Sequence, residues 1–274
     1  MTSAIEKWKT RVEAHHAQSI KVQETSFWES GDFWRPLMAN FKVDPFRTND
    51  ETLDRLRLEV PEGSTLIDVG GGAGRFALPL ALTCGHVTVV EPADSMVEGL
   101  REGMKEAKIE NVSVVNELWE DAKVEPADIV LSAHSIYGVA DAEGFLKKLT
   151  DSAVSRVLLL AYTEQPQTQL APFWKPVHGE DRITLPGLVE LINVMWSMDI
   201  YPDLEMFAPT SGQVWESHDD AFKQLLNRLH VSPGTPEEDR LKQAVQDLLV
   251  ETTEGFTVRD ARPRRQGLLS WRPD

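Results

Sequence analysis

Between residues 64 and 162, short apolar runs alternate with amphipathic stretches, and that alternation fixes the class of fold. Thr65-Leu-Ile-Asp-Val, Val87-Thr-Val-Val-Glu91, a run near Val112–Val115, Asp128-Ile-Val-Leu-Ser132 and Arg156–Tyr162 are apolar on both faces. Such strands fit a parallel sheet covered by helices on both sides. The intervening helices carry Phe76, Leu78, Leu80 and Leu82, then Met96, Val97, Leu100 and Met104, then Phe145, Leu146 and Leu149. Asp94 is the expected cap of the second, and the third is expected to run from Asp141. Pro79 sits about one turn into the first helix, where a backbone donor is normally wanted. The fold class is therefore α/β, with a doubly wound, mainly parallel sheet.

The flanks are less regular. Ile5, Trp8, Val12 and Ile20 lie near one face of an N-terminal helix, and Phe27–Arg47 is rich in aromatics. Asn49 or Asp50 caps a helix ending near Val60, with Leu53, Leu56 and Val60 inward. A polar loop, Thr163–Gln169, precedes Phe173, Trp174 and His178. A helix then starts at Pro186 and runs to about Met198. Leu204–Phe207 reads as a strand, followed by two helices (Phe222, Leu225, Leu226, Leu229; then Leu241, Val245, Leu248) and a last strand at Gly267–Trp271. The expected division is an N-terminal extension over 1–60 and a main domain over 61–274, with a helical, lid-like insertion at about 209–255.

Charge and composition exclude several functions. There are 44 acidic side chains against 28 basic ones, a formal net charge of −16. That field repels a phosphate backbone, so no nucleic-acid partner is expected. The lone Cys84 excludes an internal disulfide and any multi-thiolate metal site. The His15-His16 pair and His178 read as surface or loop histidines, and no metal is expected. No run approaches the ~18 apolar residues of a membrane helix. The N-terminus has charges every few residues and no apolar core, so a cytoplasmic protein with no membrane partner is expected. Oligomeric state is left open.

The chemistry concentrates in Leu66-Ile-Asp-Val-Gly-Gly-Gly-Ala-Gly-Arg-Phe76. Gly70, Gly71, Gly72 and Gly74, between a strand and a helix, allow positive φ and close approach of a ligand to the backbone. Gly72–Ala77 formally satisfies GxGxxA, the dinucleotide fingerprint, so an NAD(P)-dependent oxidoreductase is an alternative. Asp68 argues against it, because a carboxylate two residues before the first glycine repels a pyrophosphate. The same carboxylate favours a ligand bearing an ammonium group and a sulfonium.

The segment resembles motif I of the class I S-adenosylmethionine-dependent methyltransferases: a hydrophobic strand, an acid, then GxGxG. The resemblance runs through about residues 64–162 and implies a seven-stranded, Rossmann-like sheet with an antiparallel edge hairpin, here Leu204–Phe207 with Leu268–Trp271. It implies S-adenosylmethionine as cofactor, held by Asp68, Gly70, Gly71, Gly72, Gly74 and Glu91, the last accepting from ribose hydroxyls. Pro92 and Met96 continue the family pattern, Leu118 and Trp119 fall where the family contacts adenine, and Ser132 closes the fourth strand. Trp119 stacking on adenine and Trp119 packing in the core are both open. Ser132–Tyr137 lacks the Asn/Asp-Pro-Pro-Tyr used on nucleobase amines or glutamine, which favours a small-molecule acceptor whose nucleophile is oxygen, nitrogen or carbon. His134 or Tyr137 is the candidate general base, or merely packs beside the donor. Trp28, Trp34, Phe173, Trp174 and His178 either line an acceptor pocket or form the underside of a cap. A non-catalytic S-adenosylmethionine-binding protein is a further alternative.

Overall fold

Thr65–Val69 (β1) is an interior strand of a seven-stranded sheet in the computed structural model, which describes residues 2–23, 35 and 42–273. In chain order the elements are α1 (Ala4–Gln23), α2 (Glu51–Glu59), β1, α3 (Ala77–Ala81), β2 (His86–Val90), α4 (Asp94–Ala107), β3 (Val112–Val115), β4 (Ala127–Ala133), α5 (Ala142–Asp151) and β5 (Ala153–Tyr162). Then follow α6 (Ala171–His178), α7 (Leu188–Ser197), β6 (Asp203–Met206), α8 (His218–Arg228), α9 (Pro236–Leu248), β7 (Leu249–Thr252), β8 (Gly255–Val258) and β9 (Gln266–Trp271).

The sheet order is β3-β2-β1-β4-β5-β9-β6. β1 pairs in parallel with β2 and β4, so the strand order reverses direction beside β1. That switch point is where an open α/β sheet leaves a crevice at its carboxyl ends. The edge hairpin expected from the sequence forms: β6 runs antiparallel to β9, with Leu204 opposite Leu269 and Glu205 opposite Leu268. Leu66, Val87, Val89, Leu131, Leu158 and Leu160 are buried in one cluster with Leu53, Leu56 and Phe76. Burial of a leucine-sized side chain contributes about 1.5–3 kcal/mol each.

Asp50 caps α2 by accepting the Leu53 amide at 3.0 Å, and Asp141 caps α5 by accepting the Gly144 amide at 3.0 Å. Asp94 is the first residue of α4 rather than its cap, a position where an acid still complements the helix dipole. α3 is only five residues long, so Pro79 falls within its first turn, where a missing N–H is tolerated. The Arg75 carbonyl that residue 79 would have bonded is instead taken by the Arg47 guanidinium at 2.8 Å.

The chain divides into two compact units. One comprises residues 32–161, 194–207 and 267–274, and holds the sheet. The other comprises residues 1–31, 162–193 and 208–266, the segment at about 209–255 included. Its own core joins Phe173, Trp174, Trp215, Leu225 and Leu241. There α1 buries Trp8 and Val12, but also His15 and Gln18, while Ile20 is exposed. His15 is thus neither a surface nor a loop residue: its Nδ1 meets the Ile183 carbonyl at 2.6 Å. Gln18 donates to the Asp181 carbonyl at 2.9 Å and accepts the Ile183 amide at 3.0 Å. The β7–β8 hairpin, absent from the expected elements, also lies in this unit. Among the described residues no helix is long and apolar enough to cross a membrane.

Candidate active site

The carboxyl ends of β1, β2 and β4 bring the motif residues together within the sheet-bearing unit. Register places Asp68 opposite Val89 and Leu131, and Val69 opposite Val90 and Ser132. The Gly70 amide bonds the Val90 carbonyl at 2.8 Å, which turns the chain across the end of β2.

Asp68 is 1% exposed, and among the described residues neither carboxylate oxygen has an ordinary hydrogen-bond partner. Desolvation, then the neighbouring Glu91 charge, raises its pKa to about 7; the Ala77 amide offsets part of this without forming an ordinary hydrogen bond. A buried acid with both oxygens unpaired is costly unless a cation or donor completes it.

The glycines act differently from one another. Gly70, Gly72 and Gly74 all have positive φ, at 69°, 56° and 87°. A Cβ on Gly70 would lie 2.5 Å from Ser135 Cβ, and one on Gly74 would lie 2.6 Å from Leu100 and 2.7 Å from Leu78. Those two are glycines for packing. A Cβ on Gly71 would press on Asp68 Oδ2 at 2.9 Å. At Gly72 the nearest atom is Met96 Sδ at 4.0 Å, so its backbone is the part of the turn open to a ligand.

Glu91 is buried, and its two oxygens accept the Gly72 and Ala93 amides, each at 2.9 Å. A carboxylate has about four acceptor sites, so these amides orient it without saturating it. Asn116, which sequence reasoning missed, donates to the Glu91 and Pro92 carbonyls at 3.0 and 3.1 Å and pins the turn below. Pro92 is exposed and Met96 buried. Ser132 is buried with its Oγ 2.7 Å from Ser135 Oγ, and Ser135 donates to the Val69 carbonyl at 3.1 Å.

His134 holds φ 62°, a left-handed conformation uncommon outside glycine. Its Nδ1 lies 3.2 Å from Tyr137 Oη, and the two rings are near parallel, with centroids 6.4 Å apart. Leu118 is half exposed, whereas Trp119 is 4% exposed with Lys148 Nζ 4.7 Å from its ring centre. Trp119 faces the interior and Leu118 the solvent.

Of the remaining candidates, Trp28 and Trp34 lie outside the described residues. Phe173 and Trp174 are buried in the core of the other unit, with the His178 ring 4.4 Å from Trp174. His178 Nε2 meets the Leu229 carbonyl at 2.9 Å, and burial lowers its pKa. Among the described residues no three His, Cys, Asp or Glu side chains converge as metal ligands.

Comparison with known proteins bears on the domain and the fold. Residues 66–153 match the family described as a methyltransferase domain. An uncharacterized protein of Haemophilus influenzae is 26% identical over 200 residues, 72% of each chain. The YcgJ protein of Bacillus subtilis superimposes with a TM-score of 0.56 at 14% identity, covering 81% of this chain and 98% of that one. Magnesium protoporphyrin IX methyltransferase from Synechocystis, solved with bound SAH, gives a TM-score of 0.50 at 12% identity, covering 87% and 96%. At those identities the superpositions establish the fold. Residues 66–153 thus match a methyltransferase domain, and they lie in a sheet of the Rossmann-like fold that these solved structures share.

Proposed function

We propose that the protein transfers a methyl group from S-adenosylmethionine to an oxygen, nitrogen or carbon nucleophile of a small molecule in the cytoplasm. The observation that carries this reading is Asp68, a buried carboxylate with both oxygens unpaired beside a glycine turn. A cation is the natural complement of such a group, and a dinucleotide pyrophosphate is not. The residues present fit the donor: Asp68 for its ammonium end, the Gly72 backbone for close approach, and Glu91 for its ribose hydroxyls. When bound, the donor supplies a methyl group already activated by a sulfonium.

The chain's own work is then binding, orientation and exclusion of water, which together can supply several kcal/mol. Ser135 and Asn116 keep the ends of β1 and β2 rigid by bonding their carbonyls. His134, held against Tyr137, takes the proton that the acceptor's nucleophile sheds. The left-handed backbone at His134 is a strain of the kind that collects at working sites. The absence of Asn/Asp-Pro-Pro-Tyr at Ser132–Tyr137 and the net charge of −16 support a small-molecule acceptor.

Calorimetry and a transfer assay test the reading. S-adenosylhomocysteine binds in the micromolar range, NADH does not, and methyl-labelled donor yields a labelled small molecule from a metabolite extract. Preferential NADH binding would overturn it in favour of hydride transfer. Donor binding with no labelled product across many extracts would favour a non-catalytic binding protein.

A further inference from the structure

The unit built from residues 1–31, 162–193 and 208–266 contains a group of guanidiniums that the methyl-transfer reading leaves unused. Arg182, Arg228 and Arg264 are half-buried, and among the described residues no carboxylate lies within 4.0 Å of any of them. Their partners are neutral. Arg182 donates to Gln18 Oε1 at 2.9 Å, His15 Nε2 at 2.8 Å and Ser19 Oγ at 2.7 Å, with its guanidinium 4.0 Å from the Trp174 ring centre. Among the described residues, the Arg228 side chain donates to Gln213 Oε1 at 3.4 Å and that of Arg264 to Gln169 Oε1 at 3.3 Å. In a chain with 44 acids and 28 bases, leaving three half-buried cations with no carboxylate within 4.0 Å among the described residues runs against the composition. Burial lowers the pKa of all three, that of Arg182 to about 10 against the opposing charge of the more distant Glu180, and Arg264 adds to the effect at Arg228.

Arg182 and Arg228 line a cavity of about 30 Å³ together with His15, Thr168 and Trp174. Two buried N–H groups of its lining residues, Arg228 Nε and Trp174 Nε1, have no acceptor among the described residues. Both are donors that cannot accept, so each calls for an acceptor, and an oxyanion supplies several at once. A cavity of that size admits an end-group rather than a whole molecule. It shares Thr168, Thr184 and Leu185 with a wider cleft of about 300 Å³, floored by the Arg11–Glu190 ion pair.

We propose that this cavity binds the oxyanion end-group, carboxylate or phosphate, of a small organic molecule whose body lies along the wider cleft. Taking that molecule to be the methyl acceptor rests on the reading above; the anion site does not. Arginine is suited to this task because its planar fork matches both groups.

The test is thermal unfolding of the full chain and of Arg228→Met in sodium propionate, sodium phosphate or sodium chloride at matched ionic strength, with S-adenosylhomocysteine binding measured on both. The native chain is expected to gain about 2–4 °C in propionate or phosphate over chloride, and which salt acts identifies the end-group. Arg228→Met is expected to lose that gain, to fold at least as stably in chloride because an unpaired buried charge is gone, and to keep native S-adenosylhomocysteine affinity. No gain from either anion, or an equal gain in Arg228→Met, would overturn the anion site. Anion-dependent stabilisation without S-adenosylhomocysteine binding would retain the anion site and refute the methyl-transfer reading.

Discussion

Glu91 accepts the Gly72 amide at 2.9 Å, so the acid that closes β2 also holds the glycine turn that follows β1. One carboxylate thereby links two strand ends, and it is positioned before any ligand arrives. Such preorganisation spares a ligand the cost of ordering the loop. Asp68, opposite Val89 and so two residues short of Glu91 in register, has no equivalent partner among the described residues and carries the opposite implication.

The glycines should separate in function. Gly72→Ala places a Cβ in open space at positive φ, at a stability cost of about 1 kcal/mol. Its affinity for S-adenosylhomocysteine should fall tenfold or more, because the added methyl occupies the open backbone. Gly74→Ala drives a Cβ into Leu78 and Leu100 and should cost about 1–3 kcal/mol or more of stability. Paired melting and calorimetry on the two variants would show whether the effects divide this way.

Pro79 and Arg47 should be energetically coupled. Arg47→Met leaves the Arg75 carbonyl without its donor and should destabilise by about 1–2 kcal/mol. Pro79→Ala restores an N–H able to reach that carbonyl, so the double variant should be more stable than the sum of the two predicts. Urea unfolding of the four proteins measures this coupling; strict additivity would show that the guanidinium does not stand in for the missing amide.

His134→Asn keeps a side chain tolerant of the left-handed backbone while removing the imidazole. Its kcat should fall about 100-fold, with S-adenosylhomocysteine affinity unchanged. Equal activity in the variant would assign His134 a packing role.

Much of this site was legible because its signals are local. Asp68 and the glycines are contiguous, Glu91 ends the next apolar run, and the β6–β9 pairing follows from the alternation running out at Phe207 and resuming at Gly267. Other features depend on long-range partners. His15 and Gln18 are inward because the backbone of residues 181–183 bonds them, which helical periodicity reads as a polar face. The β7–β8 hairpin consists of two four-residue strands, too short for a clear period of two. Arg182, Arg228 and Arg264 lie on separate segments, so no spacing connects them. Trp119 marks a position where local pattern is silent on direction, and here it is buried.

Asp68 also predicts a pH dependence of stability. Its folded pKa, about 7, lies above the usual 3.8, so the native state retains a proton that the unfolded chain releases. Native stability from this group is therefore present below about pH 4 and is lost as pH rises through 7. His15, lowered to about 4 by burial and then by Arg182, has the opposite slope: its contribution is present above 6.5 and lost as pH falls through 4. Comparing the native chain with Asp68→Asn cancels the histidine. Between pH 5 and pH 8 the native chain should lose on the order of 2 kcal/mol relative to the variant, measured by urea unfolding without ligand.

Whether Asp68 meets a cation is decided by calorimetry of Asp68→Asn with two ligands, S-adenosylhomocysteine and 5′-methylthioadenosine, which lacks the amino-acid end. Affinity for the first should drop at least tenfold while affinity for the second stays within about twofold, since the lost interaction is one charge-assisted bond. Unchanged affinity for S-adenosylhomocysteine would contradict the account, because the buried carboxylate would then have no cation to meet.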